Sequence, residues 1–363
     1  MSPSPHPEPR RILIVRLSAL GDIVMSSGLI PALHQRFPQA ELYWLTEAGC
    51  APLLKHNPKL KDVLIWPRAQ WEQLLKAKQY GALWREIRAF RKMLRSMRFD
   101  LVLDGQGLLK SGLCAWFTGA PRRVSIIARE GSHLLVHERV VPPAGADTRI
   151  GSEYRYLATY LGAPESDFQL DLAVGAAPLA KAQAALNAAL AGQPSRPLVV
   201  LCPFTTRPQK HWVGSNWSDL ARRLLERGLQ PIVLGGPADK EAAARIAAGC
   251  QGLVNLTGLL KLDESVALIS LCQQLIGVDT GLTHMGTALR LPTVALFGST
   301  RPYLSSGTPT THVMYDALPC SPCRRRPTCE GRFDCMKQLT VERVLAQAQS
   351  LYNPASNPTG LAP

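Results

Sequence analysis

An α/β fold, two parallel-sheet domains in tandem facing a central cleft, is predicted by three observations. Short apolar runs recur along the chain, and most are followed by a stretch with helical spacing. Runs such as Ile12 to Val15 and Leu198 to Cys202 are apolar throughout rather than alternating, as strands buried on both faces are. The pattern stops near 173–197, at an Ala-rich helix and a Gly/Pro-rich link, and then restarts. At 363 residues the chain is long enough for two such domains.

In order, a Pro-rich lead-in over 1–10 is expected to be disordered. A strand over 11–15 turns through Leu17 to Asp22 into a helix over 23–37, followed by strands at 41–45 and 63–66. A basic helix over 85–98 carries Ile87, Phe90, Met93, Leu94 and Met97 at helical spacing, and a strand over 99–104 leads into Gly105 to Ser111. The N-terminal domain is placed at 11–175. After a helix at 179–190 the C-terminal domain, 192–340, has strands at 198–202, 230–236, 253–256 and 293–298. Between them fall helices at 217–228, 240–249 and 263–271, and the stretch Ile276 to Leu289, read as strand, tight turn and helix. A terminal helix at 340–351 precedes a Pro/Gly tail, 352–363, expected to be disordered.

The composition, 46% hydrophobic and 19% charged, is that of a folded globular chain. No apolar run has the length a membrane span needs, and the first eleven residues lack a signal core. A cytoplasmic protein is therefore expected, its nine cysteines thiols or metal ligands rather than disulfides. The net charge of +14, with 41 Lys and Arg against 27 Asp and Glu, favours an anionic partner: nucleic acid, an acidic membrane surface or a phosphorylated substrate. Few aromatics interleave with the basic run, which disfavours single-stranded nucleic acid bound by stacking.

Candidate chemistry falls where strands end. Asp279 and Thr280 sit at the turn before a helix, Gly281 lets backbone approach a ligand, and His284 lies one turn on. The N–H groups of that helix suit a phosphate or diphosphate, although Asp and Thr there are also ordinary helix caps. Thr205, Thr206 and Lys210 follow the first strand of the second domain and suit the same anion, or form a solvated polar loop. Asp22, at the end of the first strand and turn, is either a proton acceptor for a substrate hydroxyl or a helix cap. No Gly-x-Gly-x-x-Gly is present in the first domain, which argues against dinucleotide binding there. Cys320, Cys323, Cys329 and Cys335 have spacing that suits a structural tetrahedral thiolate site for Zn or Fe, with free or regulatory thiols as the alternative.

The ordered stretches Leu17 to Asp22, Asp104 to Ser111, Thr205 to Trp212, Leu234 to Pro237 and Val278 to His284 resemble those of the lipopolysaccharide heptosyltransferases, glycosyltransferase family 9, over roughly 11–350. The resemblance implies a GT-B fold of two Rossmann-like domains. It also implies inverting transfer of L-glycero-D-manno-heptose from ADP-heptose to Kdo–lipid A or a heptosylated core acceptor, without a catalytic metal, at the inner face of an anionic inner membrane. By position, Asp22 resembles the general base, and Thr205, Thr206 and Lys210 the donor-phosphate contacts. Asp279, Thr280, Gly281 and His284 resemble the ADP-sugar cradle, with backbone at Leu260 meeting the adenosine and Asp239 or Glu241 the ribose. Lys110, with Arg122 or Arg123, is implied to meet acidic groups of the acceptor. The four-Cys segment is similar to that of the branches adding later heptoses, and relatives that glycosylate proteins carry a metal-binding four-Cys finger. Another nucleotide sugar or a protein acceptor on the same fold, and a non-catalytic polyanion-binding protein, are the alternatives; nucleic acid is not expected as a partner.

Overall fold

The structure, a computed structural model, describes residues 7–143, 145, 147–299, 304–323 and 326–352. Most of the expected lead-in and tail, 1–6 and 353–363, lies outside the described residues. Residues 7–10 are held in place: Glu8 pairs with Arg36, and the N–H groups of Arg10 and Arg11 both donate to Asp100. The chain forms two units, Met1–Ala146 with Gly151–Ala173, and Asp147–Ile150 with Val174–Pro363.

The first unit runs β1 (Arg11–Val15), α1 (Leu20–Ser26), α2 (Leu29–Arg36), β2 (Glu41–Glu47), β3 (Leu60–Trp66), α3 (Arg68–Lys76) and α4 (Tyr80–Ser96). It continues with β4 (Leu101–Asp104), α5 (Leu109–Thr118), β5 (Arg122–Ile126), β6 (Glu138–Val140) and α6 (Ser152–Tyr160). The second unit runs α7 (Ala176–Ala189), β7 (Leu198–Cys202), α8 (Gly214–Glu226), β8 (Gln230–Val233), α9 (Lys240–Ala248), β9 (Val254–Asn255) and α10 (Leu262–Leu271). Then come β10 (Gln274–Val278), α11 (Gly281–Ala288), β11 (Thr293–Phe297), β12 (Thr311–Tyr315), α12 (Asp334–Lys337) and α13 (Val341–Leu351).

Each unit carries one parallel six-stranded sheet, and the two share an order: β3-β2-β1-β4-β5-β6 in the first and β9-β8-β7-β10-β11-β12 in the second. The chain winds outward from β1 in one direction and from β4 in the other, so the crevice of each sheet opens where these two strands meet. The central strands are the apolar ones: Ile12 to Val15 on β1 and Val199 to Cys202 on β7 are fully buried. That burial fixes β1, β4, β7 and β10 in the middle of their layers and leaves the loops after them as the natural ligand sites.

The expected helix at 23–37 is broken in two. Ser27 Oγ donates to the Val24 carbonyl and accepts the Asp171 N–H, drawing the turn out of helical register. Gly28 is pressed under Phe168, whose ring would lie 2.6 Å from a Cβ there. The basic helix begins earlier than expected, at Tyr80, and buries Phe90 and Leu94 while Met93 stays exposed. Strands β5, β6 and β12 had no signal in the sequence reading; β5 opens on two arginines and β12 mixes Thr and His with its apolar residues.

Candidate active site

In the second unit the loops after β7 and β10, the two strands flanking the switch in strand order, meet through their side chains. Lys210 Nζ lies 2.7 Å from Asp279 Oδ2, and His284 Nε2 lies 3.4 Å from Asp279 Oδ1. Thr205 Oγ1 donates to the Asp279 carbonyl at 3.4 Å, and the Thr205 carbonyl is met by the His211 ring at 2.9 Å. Burial pushes the Asp279 carboxyl up, but the hydrogen bond and charge of His284, then Lys210, outweigh it and hold the group well below the usual carboxylate range. Asp279 is thus a fixed anion that positions a cation and an imidazole at one edge of the sheet.

Helix α11 begins at that edge. Thr280 is its N-cap in extended conformation, but its side chain makes no capping bond, so the first N–H groups of the helix keep their donor capacity. The helix is drawn tight onto β10: Thr283 Oγ1 donates to the Val278 carbonyl at 2.6 Å, and a Cβ at Gly277 would fall on Thr283 Oγ1 and within 2.9 Å of Cys202 Cβ. Three of the buried polar atoms without a hydrogen-bond partner among the described residues lie past strands of this sheet: His284 Nδ1 on α11, Ser299 Oγ after β11 and Thr257 Oγ1 after the edge strand β9. Buried polar atoms are normally paired, and the unpartnered His284 Nδ1, beside Asp279, is open to a polar ligand. Ser299 and Thr257 were missed by sequence reasoning, since only their burial distinguishes them from ordinary hydroxyls.

The remaining donor candidates lie on neighbouring loops. Asp239 Oδ2 accepts the Gly236 N–H at 2.8 Å, closing the turn after β8, whereas Glu241 is exposed on α9 and paired with Arg245 at 2.5 Å. Of the two, Asp239 is the one built into the strand-end turn. Half-buried Leu260 follows β9, on a loop tied to that turn by the Gly258 N–H donating to the Gly235 carbonyl at 3.0 Å. Thr206 is exposed in the loop after β7.

In the first unit Asp22 lies in the first turn of α1, just past β1. Its Oδ2 is 2.5 Å from Arg16 Nη2 and accepts the Ala19 N–H at 3.4 Å, and among the described residues neither contact uses Oδ1. Arg16 is buried and also donates to the Gly105 carbonyl at 2.9 Å, while the Leu17 N–H donates to Gln106 Oε1 at 3.0 Å. The loop after β1 is thereby tied to the loop after β4, and the carboxylate is oriented by a buried guanidinium that the sequence reading did not single out. Asp104, fully buried at the end of β4, accepts the Gln106 and Gly107 N–H groups and the Ser125 hydroxyl; burial raises its carboxyl pKa even so.

Lys110 opens α5 at this same edge, 3.7 Å from Glu47 Oε1 and 5.7 Å from the Trp66 ring centre, and Arg68 reaches the same Glu47 oxygen at 3.2 Å. Arg68 is thus brought beside Lys110, which sequence separation hid. Arg122 and Arg123 are not. They open β5 level with Leu101 and Val102, at the start of the sheet, whereas Lys110 follows its end. Arg122 makes a two-bond fork with Glu138, and Arg123 donates to the Leu135 and Ala120 carbonyls. Their guanidinium groups join strands and loops, and they stand at the opposite end of the sheet from Lys110.

The four-Cys segment also departs from expectation. The thiols are near enough that, after burial, Cys320, Cys323 and Cys329 each raise that of Cys335. Among the described residues, however, no group of three or more His, Cys, Asp or Glu side chains could hold a metal ion. Cys335 is the second residue of α12, and its Sγ packs against Gly298, just past β11, beside Met336. The residues as placed do not fit the Zn or Fe site that their spacing suggests. No helix among the described residues is long and apolar enough to cross a membrane.

The model of glycosyltransferase family 9 (heptosyltransferase) matches residues 87–333. A lipopolysaccharide heptosyltransferase 1 from Pseudomonas aeruginosa is 29% identical over 364 residues, covering 94% of this chain and 98% of that protein. A lipopolysaccharide heptosyltransferase 2 from Escherichia coli K12 is also 29% identical, with the same coverage. The solved structure of the E. coli ADP-heptose lipopolysaccharide heptosyltransferase II superposes with a TM-score of 0.73 at 25% identity, over 94% of this chain and 98% of that one. With a family match over more than half its length and two parallel sheets wound alike, this chain belongs to glycosyltransferase family 9 and is a glycosyltransferase of the GT-B fold.

Proposed function

We propose that the chain transfers L-glycero-D-manno-heptose from ADP-heptose to the inner core of lipopolysaccharide, with inversion at the anomeric carbon and with Asp22 as general base. The observation that carries this reading is the edge of the second sheet, where Lys210, Asp279 and His284 meet the uncapped start of α11 at the switch in strand order. A diphosphate is the anion that an ammonium and a helix N-terminus suit. The heptose and the lipopolysaccharide core are drawn from the names of the related enzymes.

In this reading the second unit holds the donor. Lys210, Thr205 and Thr206 contact the diphosphate together with the N–H groups at Thr280 and Gly281, Asp239 meets the ribose, and Leu260 lies along the adenosine. The first unit holds the acceptor, Kdo–lipid A or a heptosylated core, with Lys110 and Arg68 facing its acidic groups. An acceptor hydroxyl oxygen attacks the anomeric carbon as the bond from that carbon to the diphosphate oxygen breaks, and ADP leaves with the electron pair. The hydroxyl proton passes to Asp22, whose Oδ2 is held by Arg16. Charge growing on the leaving diphosphate is stabilised by groups already fixed before reaction, which is where electrostatic catalysis is largest.

Thermal shift measurements with ADP, UDP and GDP test the donor assignment. A ligand that binds only the folded state adds about 2.7 kcal/mol at a hundredfold excess over its Kd. ADP is expected to raise Tm by the largest margin, and the Lys210→Ala variant to lose most of that rise. A larger rise with UDP or GDP would replace ADP-heptose with another donor on the same fold.

A further inference from the structure

Arg16 follows the buried run Ile12 to Val15 directly, and it is itself only 9% exposed. Arginine is almost never so buried unless it is paired. Its backbone is clamped on one side of β1: the Arg16 N–H donates to the Leu45 carbonyl at 3.2 Å, and the Trp44 indole donates to the Arg16 carbonyl at 3.2 Å. The guanidinium is held by three groups. Nη1 donates to the Gly105 carbonyl at 2.9 Å, Nη2 meets Asp22 Oδ2 at 2.5 Å, and the ring centre of the buried Tyr154 lies 5.7 Å away. Nε is buried with no hydrogen-bond partner among the described residues, so the socket is built around the two Nη groups alone.

The loop that receives Nη1 is rigid. Asp104 Oδ1 accepts the Gln106 and Gly107 N–H groups at 2.9 Å each, and a Cβ on Gly107, whose φ is +65°, would fall on the Ile126 carbonyl oxygen. The Gly105 N–H donates to the Val15 carbonyl at 3.0 Å, tying the same loop to β1. Arg16 therefore spans from a fixed carbonyl to a carboxylate whose side chain is 37% exposed. The Ala19 N–H also goes to Oδ2, at 3.4 Å, so both contacts fall on one oxygen of Asp22 and neither uses Oδ1.

We infer that Arg16 is a positioning residue of the transfer reaction: by holding Asp22 Oδ2 to the loop after β4 it reserves Oδ1 for the acceptor proton and fixes where that oxygen stands. The inference rests on Asp22 as the general base proposed above. Two effects of opposite sign meet here. A neighbouring cation makes a carboxylate a weaker base, which slows proton transfer. Placement works the other way, since an error of about 1 Å costs on the order of a hundredfold. Two anchors on one oxygen and none on the other are what placement requires, so it is the larger effect. The hydroxyl proton passes to Oδ1 as the acceptor oxygen bonds to the anomeric carbon and ADP departs. The neutral carboxyl then leaves a buried guanidinium without its anion, which is costly, so the proton goes on to solvent and the carboxylate is restored.

The test is a double-mutant cycle on the full chain, with kcat and KM measured for ADP-heptose and a truncated core acceptor. Arg16→Met removes the charge and both donors; kcat should fall on the order of a hundredfold, with both KM values unchanged. Arg16→Lys keeps the charge but cannot span Asp22 and Gly105 together, and should recover part of kcat. In an Asp22→Asn background the same Arg16 substitutions should leave kcat nearly unaltered, because a residue that acts through another loses its effect once that partner is gone. Equal losses in both backgrounds, or a loss carried by KM, would make Arg16 a structural tie only and overturn the inference while leaving Asp22 as the base. A kcat at or above the wild-type value in Arg16→Met would also overturn it. Wild-type kcat in Asp22→Asn alone would remove the base and the positioning role together. Should Arg16→Met fail to fold, the cycle run with Arg16→Lys, which retains the buried charge, decides in the same way.

Discussion

Asp22→Asn is expected to fold, melt and bind donor like the wild-type chain, while turnover falls about a hundred- to ten-thousandfold, the range that a positioned general base contributes. The substitution keeps the size of the side chain and an oxygen for Arg16 but removes the proton acceptor. The pattern matters more than the size of the loss. Asp22 is anchored only through Oδ2 among the described residues, and its side chain is 37% exposed, so a merely structural role predicts altered stability with turnover spared. Steady-state rates beside a melting curve separate the two: wild-type rates in the Asn variant would remove the base assignment.

Lys210→Ala is expected to act on both binding and chemistry. Lys210 lies 2.7 Å from Asp279, and in the proposed reading its removal takes away the positive charge set against the leaving diphosphate. Loss of one fixed transition-state contact of this kind costs on the order of a hundred- to a thousandfold in kcat. Donor affinity should fall too, because Asp279, held well below the usual carboxylate range by His284 and Lys210, would confront the diphosphate without the ammonium beside it. Lys210→Arg should recover binding better than rate, since a guanidinium restores the charge but not the compact ammonium geometry. Isothermal titration with ADP and single-turnover rates would report the two effects separately; unchanged values of both would place the diphosphate elsewhere.

The strands that organise both crevices were readable because their burial is complete. β1 and β7 have no solvent face, so their sequences are unbroken apolar runs, and the loops after them could be read as ligand loops before any coordinates. Other edge elements were not readable: β6 is only three residues long and β12 mixes polar with apolar residues, so no period can establish itself, whereas two-residue β9 lies inside the strand expected at 253–256. The break at Ser27 and Gly28 depends on Phe168 and Asp171, far along the chain, which helical periodicity over 23–37 cannot register. At the site, residue types and loop positions were legible for Lys210, Asp279 and His284, but their pairing was not, because it is created by β7 and β10 lying side by side. Arg16 looked like the end of a strand, and its grip on Asp22 appears only when the loops close. Arg122 and Arg123 were assigned by resemblance to a ligand, and their pairing with Glu138 and with backbone carbonyls could not be read from the sequence. The cysteine spacing suggested a metal, yet the fold sends Cys335 under Gly298 to pack with Met336.

Product analysis with ADP-heptose and truncated core acceptors, read by mass spectrometry and by NMR of the new linkage, addresses the central claim most directly. The account predicts one added heptosyl group, joined with the anomeric configuration opposite to that of the donor, and one ADP released per transfer. Retained configuration, or transfer supported only by a uridine or guanosine sugar nucleotide, would contradict it.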